Sequence, residues 1–207
     1  VVPWAETGVG VVATQSFVDP AYGPLGLELM RRGQSAPEAL RQLVAVDPGA
    51  TYRQVAMLDA RGRVAVHTGD GCLAAAGHQL GEQVAAQANL MACATVWGAM
   101  IERFENTSGE LAVRLLAALD AAEDEGGDRR GKQSSALLVV RAQPTGKLWV
   151  DRVVDLRVED HPDPVNELKR LFALHRKSAD QLAARATLWD EPTLLEGLLS
   201  QKRSFSS

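Results

Sequence analysis

Residues 9–17 read Val9-Gly-Val-Val-Ala-Thr-Gln-Ser-Phe17, a β-branched and apolar stretch that ends at Asp19-Pro20. Because the side chains of a strand alternate between its two faces, Val11 and Ala13 point to one face and Val12 to the other. A strand that is apolar on both faces is typically central and covered on both sides. The stretch therefore predicts a buried strand in the interior of a sheet.

Helices are predicted directly after this strand. One spans residues 24–32 and is closed by Gly33. The next begins at the capping box Ser35-Ala-Pro-Glu38 and stops before Asp47-Pro48-Gly49. Three more helices are predicted farther along: at residues 95–104, after a second capping box Thr107-Ser-Gly-Glu110, and after His161-Pro-Asp-Pro164.

The other strands are predicted at residues 53–59 and 63–68, at 133–141 and 148–158, and at 84–89. The turn Asp59-Ala-Arg-Gly62 joins the first two into a hairpin, since glycine adopts the backbone angles of a tight turn. Strand pairs and helix pairs segregate along the chain, which predicts an α+β fold with a mainly antiparallel sheet. The strand at 9–17 has no evident hairpin partner, and a strand preceding Val1 would supply one.

Composition excludes several classes of protein. The 207 residues carry 22 Lys and Arg against 26 Asp and Glu, a net charge of −4, whereas nucleic-acid binders usually present a basic surface. No apolar run reaches the roughly 20 residues that span a bilayer. Two cysteines make no disulfide framework, and no signal peptide is evident, so a cytoplasmic protein that binds neither membrane nor nucleic acid is predicted.

The loop Gly126-Gly-Asp-Arg-Arg-Gly-Lys-Gln-Ser134 is the most unusual stretch. It brings Asp128, Arg130, Gln133 and Ser134 together before a strand, and an arginine fork there would bind a carboxylate or phosphate. The alternative is a helix end followed by a solvated basic turn.

Other polar residues lie in or beside predicted strands. Thr14 and Gln15 interrupt an apolar strand, where a hydroxyl is either a nucleophile or simply bonded to neighbouring backbone. Asn89 precedes a helix, either as its cap or as an oxyanion donor. Asp155 and Arg157 share one strand face with Asp151, as an ion pair or a substrate clamp. The four histidines have no metal-ligand spacing, so neither a metal nor a cofactor is predicted.

Several segments together resemble one family, the domain of unknown function 1028, over residues 1–174. They are Val1-Val-Pro-Trp-Ala5, Gly8-Val-Gly-Val-Val-Ala-Thr-Gln15, Tyr22-Gly-Pro-Leu-Gly26, His67-Thr-Gly69, Gln87-Ala-Asn89, Gly126-Gly-Asp-Arg-Arg-Gly131, Gln133-Ser134, Asp151-Arg-Val-Val-Asp-Leu-Arg-Val158 and Asp160-His-Pro-Asp-Pro164. The resemblance implies a fold similar to the N-terminal-nucleophile (Ntn) hydrolases, a four-layer α/β/β/α sandwich of two mainly antiparallel sheets. Residues 1–174 would form this domain and residues 175–207 a C-terminal helical tail.

The same resemblance implies a hydrolase of a small amide, carbamoyl or ureido C–N bond. In Ntn hydrolases a Ser, Thr or Cys freed by autoprocessing becomes the first residue and attacks the carbonyl. Residue 1 is Val, which has no nucleophile. The missing strand is therefore expected from residues that precede Val1, either as a cleaved N-terminal fragment or as an uncleaved segment of the same chain. On this hypothesis Thr14, Asn89, Asp128 and Ser134 are catalytic. The predicted substrate-binding residues are Gln15, Arg130, Gln133, Asp155 and Arg157.

The alternative hypothesis is a non-catalytic ligand-binding or assembly module on the same fold, favoured by the missing nucleophile at residue 1. Under either hypothesis the predicted partners are a small molecule and a second copy of the chain, since flat apolar helical layers favour a homodimer.

Overall fold

A computed structural model describes residues 2–186, with side-chain surroundings as far as residue 179. The chain divides into two compact units, Val1–Leu168 and Lys169–Ser207. Of the predicted helical tail, residues 187–207 lie outside the described residues. The strands are β1 (Pro3–Glu6), β2 (Gly10–Ser16), β3 (Arg53–Asp59), β4 (Val64–Thr68), β5 (Gly77–Gly81), β6 (Val84–Ala88), β7 (Ser135–Val140) and β8 (Arg152–Val158). The α-helices are α1 (Tyr22–Arg31), α2 (Ala36–Val46), α3 (Val96–Asn106), α4 (Leu111–Asp124), α5 (Leu148–Asp151) and α6 (Pro164–Ala186).

The largest sheet is an antiparallel meander in the order β1-β2-β3-β4. Sequence reasoning missed the first hairpin: β2 pairs with β1, and Trp4 lies opposite Val12. The predicted hairpin of β3 and β4 is confirmed. In this register Gln15, Gln54 and Thr68 lie side by side across three strands. Because paired residues share a face, these three polar side chains form one row.

The opposite face of this sheet carries the hydrophobic core of the first unit. Val12, Val55 and Met57 are buried there against α1 and α2. Gly26 allows α1 to approach closely, since a Cβ at this position would lie 2.8 Å from Met57 Cε. The expectation that β2 is covered throughout on both faces is wrong, because the side chain of Val11 on the other face is exposed.

The remaining described strands form two antiparallel pairs, β5 with β6 and β7 with β8. Sequence reasoning predicted β6 but missed β5. Helix α3 packs on this pair, with the Trp97 ring directly against Gly77. The strand predicted at residues 148–158 starts later than expected. Its first residues form the short helix α5, which turns Asp151 inward to accept hydrogen bonds from the Thr145 backbone N–H and hydroxyl. Antiparallel sheets combined with helices are thus confirmed.

The two predicted capping boxes have different outcomes. Ser35 caps α2, and its box with Glu38 is complete. The box at Thr107 is wrong, because the N-cap of α4 is Glu110 and makes no side-chain cap hydrogen bond. Gly109 has a φ of +106°, which interrupts the helical backbone that a cap at Thr107 needs. The Thr107 hydroxyl instead donates to the Arg103 carbonyl at the end of α3.

Two further findings bear on function. Among the described residues, no helix combines the length and apolar character needed to cross a membrane. Within the same part of the chain, no group of three or more His, Cys, Asp and Glu side chains is arranged to hold a metal ion.

Candidate functional site

A cavity of about 580 Å³ opens where β2 and β6 end. Four of the predicted site residues line it together: Gln15, Asn89, Asp128 and Arg130. They come from three separate parts of the sequence. A volume of this size is typical of sites for small molecules, so the convergence makes this cavity the candidate functional site.

The loop after α4 is held in place by backbone pairing. Arg129 N–H donates to the Leu90 carbonyl and Ala92 N–H donates to the Gly127 carbonyl, both at 2.9 Å. Met91 and Asp128 thereby form an isolated antiparallel bridge. This pairing fixes the loop beside Asn89, which explains how Asp128 and Arg130 reach the cavity.

The side chain of Gln54 is fully buried and is hydrogen-bonded to two of the lining residues. Its Oε1 accepts hydrogen bonds from Gln15 Nε2 at 2.8 Å and from Asn89 Nδ2 at 3.1 Å. Its Nε2 lies 3.0 Å from the Thr68 hydroxyl and from the carbonyls of Gly77 and Ala88. Since only Oε1 can accept and only Nε2 can donate, these partners fix the orientation of the Gln54 amide.

Gln15 and Asn89 have polar atoms that their hydrogen bonds within the protein do not use. Gln15 Nε2 also donates to the Gln87 carbonyl at 3.3 Å, so both of its N–H groups are used. Within the described residues, Gln15 Oε1, Asn89 Oδ1 and one Asn89 N–H have no hydrogen-bond partner. The cavity therefore offers acceptors and a donor side by side, the pattern that a ligand amide complements.

Gln87 adds a third side-chain amide to the lining. Its Nε2 donates to the Ala13 carbonyl at 3.0 Å. Its Oε1 is buried and has no partner among the described residues. An unpaired buried acceptor costs about 1–3 kcal/mol. Because Gln87 Oε1 is itself buried, it is not among the accessible acceptors that Gln15 and Asn89 offer to the cavity.

Among the described lining residues two are charged, Asp128 and Arg130, and they are paired with each other. Asp128 Oδ1 accepts from the Arg130 backbone N–H at 2.8 Å and from Nε at 3.0 Å, and Oδ2 accepts from a terminal guanidinium nitrogen at 2.5 Å. The hydrogen bond from the Arg130 side chain lowers the pKa of Asp128, while burial opposes this. Asp128 in turn raises the pKa of Arg130. The guanidinium predicted to bind a ligand anion thus binds Asp128.

The cavity wall includes unusual backbone. Ser16 and Leu90 line the cavity and have φ values of +70° and +60°. Such conformations in residues other than glycine cost free energy and cluster at functional sites. Of the lining residues that the structure describes, Ser16 is the one with a hydroxyl, and none is His, Lys or Cys.

The other predicted site residues do not line this cavity. Thr14 is buried on the core face of β2, where its hydroxyl donates to the Asp19 carbonyl at 3.3 Å. Gln133 and Ser134 are exposed before β7. Asp155 and Arg157 are exposed on β8, where Arg157 Nε lies 3.7 Å from Asp155 Oδ1. Asp151, expected on the same strand face, is buried under the turn at Thr145.

Sequence reasoning missed Gln54 and the role of Gln87. A signal existed for Gln54, because a long amide stands beside Val55 in a strand whose other residues are mostly apolar. A polar side chain in such a position needs buried partners. No local pattern, however, identifies those partners as Gln15 and Asn89, which lie 39 and 35 residues away.

A larger cavity, of about 810 Å³, lies at the start of β2. Val9, Val11 and Phe104 line it together with Glu82 and Glu105. None of the predicted site residues contributes to it. The smaller cavity is the better candidate, because unpaired amide groups converge there.

The comparisons with known proteins agree on one family. The model of a family of unknown function, DUF1028, matches residues 1–168. The crystal structure of protein SPO2555 from Silicibacter pomeroyi, which carries the same family description, superimposes with a TM-score of 0.73 at 30% sequence identity. The match covers 83% of this chain and 72% of that one. No curated protein matches the chain.

Proposed function

Because the chain belongs to DUF1028, a family of unknown function, we propose a function from the cavity of 580 Å³. The cavity binds a small molecule through an amide, carbamoyl or ureido group, and the protein hydrolyses the C–N bond of that group. The observation that carries the proposal is that the side-chain amides of Gln15 and Asn89 line one cavity and, among the described residues, leave two acceptors and one donor unpaired there.

The proposed fold is the four-layer sandwich of the Ntn hydrolases. Helices α1 and α2 cover one face of the sheet β1–β4. From its other face Gln54 reaches the carbonyls of Gly77 and Ala88 on β5 and β6. Helix α3 packs on that pair. Helices packed on each of two contacting sheets support this proposal.

In the proposed reaction, water adds across the C–N bond. Its hydroxyl joins the carbonyl carbon, and the nitrogen leaves as an amine or ammonia after taking up a proton. The free Asn89 N–H suits an oxyanion donor, because it is held by Gln54 before any ligand arrives. Among the described lining residues, Ser16 carries the hydroxyl that is the candidate nucleophile.

The second candidate function is binding of the same ligands without hydrolysis. The observation in its favour is the composition of the lining, which includes no His, Lys or Cys among the described residues to activate a nucleophile. The two functions share one site and differ only in the chemical step.

One experiment separates them. Propionamide, N-methylurea and N-carbamoylglycine are titrated against the protein by NMR, while release of ammonia or methylamine is assayed in parallel. Hydrolysis that falls about a hundredfold in Asn89→Ala supports the enzyme. The matched control is Asn166→Ala, whose exposed amide donates to Asp163 instead. Binding without release supports the binding protein, and the absence of both contradicts the proposed site.

A further inference from the structure

The mouth of the same cavity is apolar and exposed. Four of its lining side chains are hydrophobic and largely open to solvent: Phe17 at 58%, Leu73 at 50%, Val18 at 41% and Val2 at 40% exposure. Exposed apolar residues scattered singly are ordinary, but a group that rims one cavity marks a binding surface. The Phe17 ring is also held by an edge contact with Tyr52, with centroids 5.7 Å apart.

Polar side chains also line the cavity, and among the described residues they carry no net charge. Gln15, Gln87 and Asn89 are neutral, and the Asp128 carboxylate and the Arg130 guanidinium neutralise each other. A charged ligand group would lose hydration without gaining an unpaired counter-ion. A neutral amide gains hydrogen bonds at the same place without that cost.

From these two observations we infer the class of ligand: an uncharged amide or ureide head that bears an aromatic or branched apolar substituent. The head contacts Gln15 and Asn89, and the substituent lies against Phe17, Val18 and Leu73. This inference rests on the proposed function, since it assigns the amide-binding site a specificity. Because the exposed apolar side chains and the amides line one cavity, one small ligand is large enough to contact both.

The test is a matched panel of probes titrated by NMR: acetamide, phenylacetamide, phenylacetate and 2-phenylethylamine. Phenylacetamide is expected to bind about tenfold more tightly than acetamide, because its ring leaves water. It is also expected to bind about tenfold more tightly than the two charged probes, which keep the ring but change the head.

Variants of the rim then test the position of the ring. Phe17→Ala and Leu73→Ala are expected to reduce the preference for phenylacetamide over acetamide about threefold or more, and Phe17→Leu to keep most of it. Leu25→Ala, an equally exposed position on α1 outside the lining, is the matched control and keeps the full preference.

Each outcome has a separate meaning. Equal affinity for acetamide and phenylacetamide, both lost in Asn89→Ala, overturns the apolar subsite and leaves the proposed function standing. Tighter binding of phenylacetate or 2-phenylethylamine than of phenylacetamide overturns the uncharged head. If no amide in the panel binds, the proposed function fails together with this inference.

Discussion

Gln54 Oε1 accepts a 2.8 Å hydrogen bond from Gln15 Nε2. One residue is fully buried and the other lines the cavity, so the interior of the sheet fixes the orientation of an amide at the candidate site. The same Oε1 holds Asn89. Gln54 is thus a positioning residue for two of the three cavity amides.

Replacing Gln54 by Leu should therefore lower the stability of the protein. The substitution leaves N–H groups of Gln15 and Asn89 and the carbonyls of Gly77 and Ala88 without their partner. We expect the free energy of unfolding, measured in urea, to fall by about 2–4 kcal/mol. Gln79→Leu, at an exposed position of β5, is the control and should change it by less than about 0.5 kcal/mol. A Gln54→Leu protein as stable as the control would contradict the role of this network.

The Ser35 cap provides a test with an internal comparison. Ser35→Ala removes the side-chain oxygen that accepts from the Glu38 N–H, so we expect a loss of about 1 kcal/mol in urea unfolding. Ser108→Ala lies in the other Ser/Thr-x-x-Glu segment, where no cap forms, and should be neutral. Equal effects of the two substitutions would argue against the assigned cap.

These two segments also show what sequence can predict about the fold. Ser35-Ala-Pro-Glu38 and Thr107-Ser-Gly-Glu110 both match the capping pattern, but the first has Pro37 in the first helical turn and the second has Gly109 with a positive φ. Local patterns identified most strands and helices, because periodicity and turn residues act over a few positions. They missed β1 and β5, neither of which contains a β-branched residue, and placed the start of β8 too early.

The residues of the candidate site also fall into those that sequence predicts and those that it does not. Gln15, Asn89, Asp128 and Arg130 were identified because each stands in an unusual local setting, and the fold brings them to one cavity. The same reasoning predicted Thr14 as a site residue, but the alternation of side chains along the strand places Thr14 on the core face. Gln54 was missed because its importance depends on contacts with distant segments, which no local pattern contains.

Asp59 links stability to pH. Burial by itself raises the pKa of Asp59, but hydrogen bonds from the backbone N–H groups of Ala36, Arg61 and Arg63 and from the Arg63 side chain outweigh it and lower the pKa. A carboxyl whose pKa is lowered by folding stabilises the protein above its unfolded pKa of about 4. That contribution is lost as the pH falls through the folded pKa.

The expected result is a loss of about 2–3 kcal/mol in Asp59→Asn at pH 7, measured by urea unfolding. The difference from the wild type should shrink at pH 3, because protonation removes the same charge. Asp70→Asn, at an exposed position, is the control and should show little effect at either pH. A difference of the same size at both pH values would show that the charge of Asp59 is not what matters.

The contribution of Tyr22 to stability should depend on pH in the direction opposite to that of Asp59. Burial, followed by its hydrogen bond to Asp47, raises the pKa of the Tyr22 hydroxyl. A group whose pKa is raised by folding stabilises the protein below its unfolded pKa of about 10, and the contribution is lost as the pH rises through the folded value. Tyr22→Phe should cost about 1 kcal/mol at pH 7. The measurement is an alkaline absorbance titration of both proteins. The wild type should show one more tyrosine ionisation than Tyr22→Phe, and that ionisation should occur above pH 10.

The ion pair of Asp128 and Arg130 tests the charge balance of the cavity. The Arg130 side chain is the main reason for the lowered pKa of Asp128, and burial acts against it. In Arg130→Met we therefore expect this pKa to rise, as followed by the carboxyl carbon shift in an NMR titration. Arg129→Met, the exposed neighbour whose charge acts more weakly, should change it less.

The same variant changes the ligand that the cavity should prefer. Above the new pKa the Asp128 carboxylate has lost its guanidinium partner, so the described lining residues carry one negative charge instead of none. Affinity for 2-phenylethylamine should rise relative to phenylacetamide, and affinity for phenylacetate should fall. Unchanged affinities of all three probes for Arg130→Met would contradict this expectation. Asp128 and Arg130 would then not determine the charge that a ligand meets, and the preference for an uncharged head would depend on the amides alone.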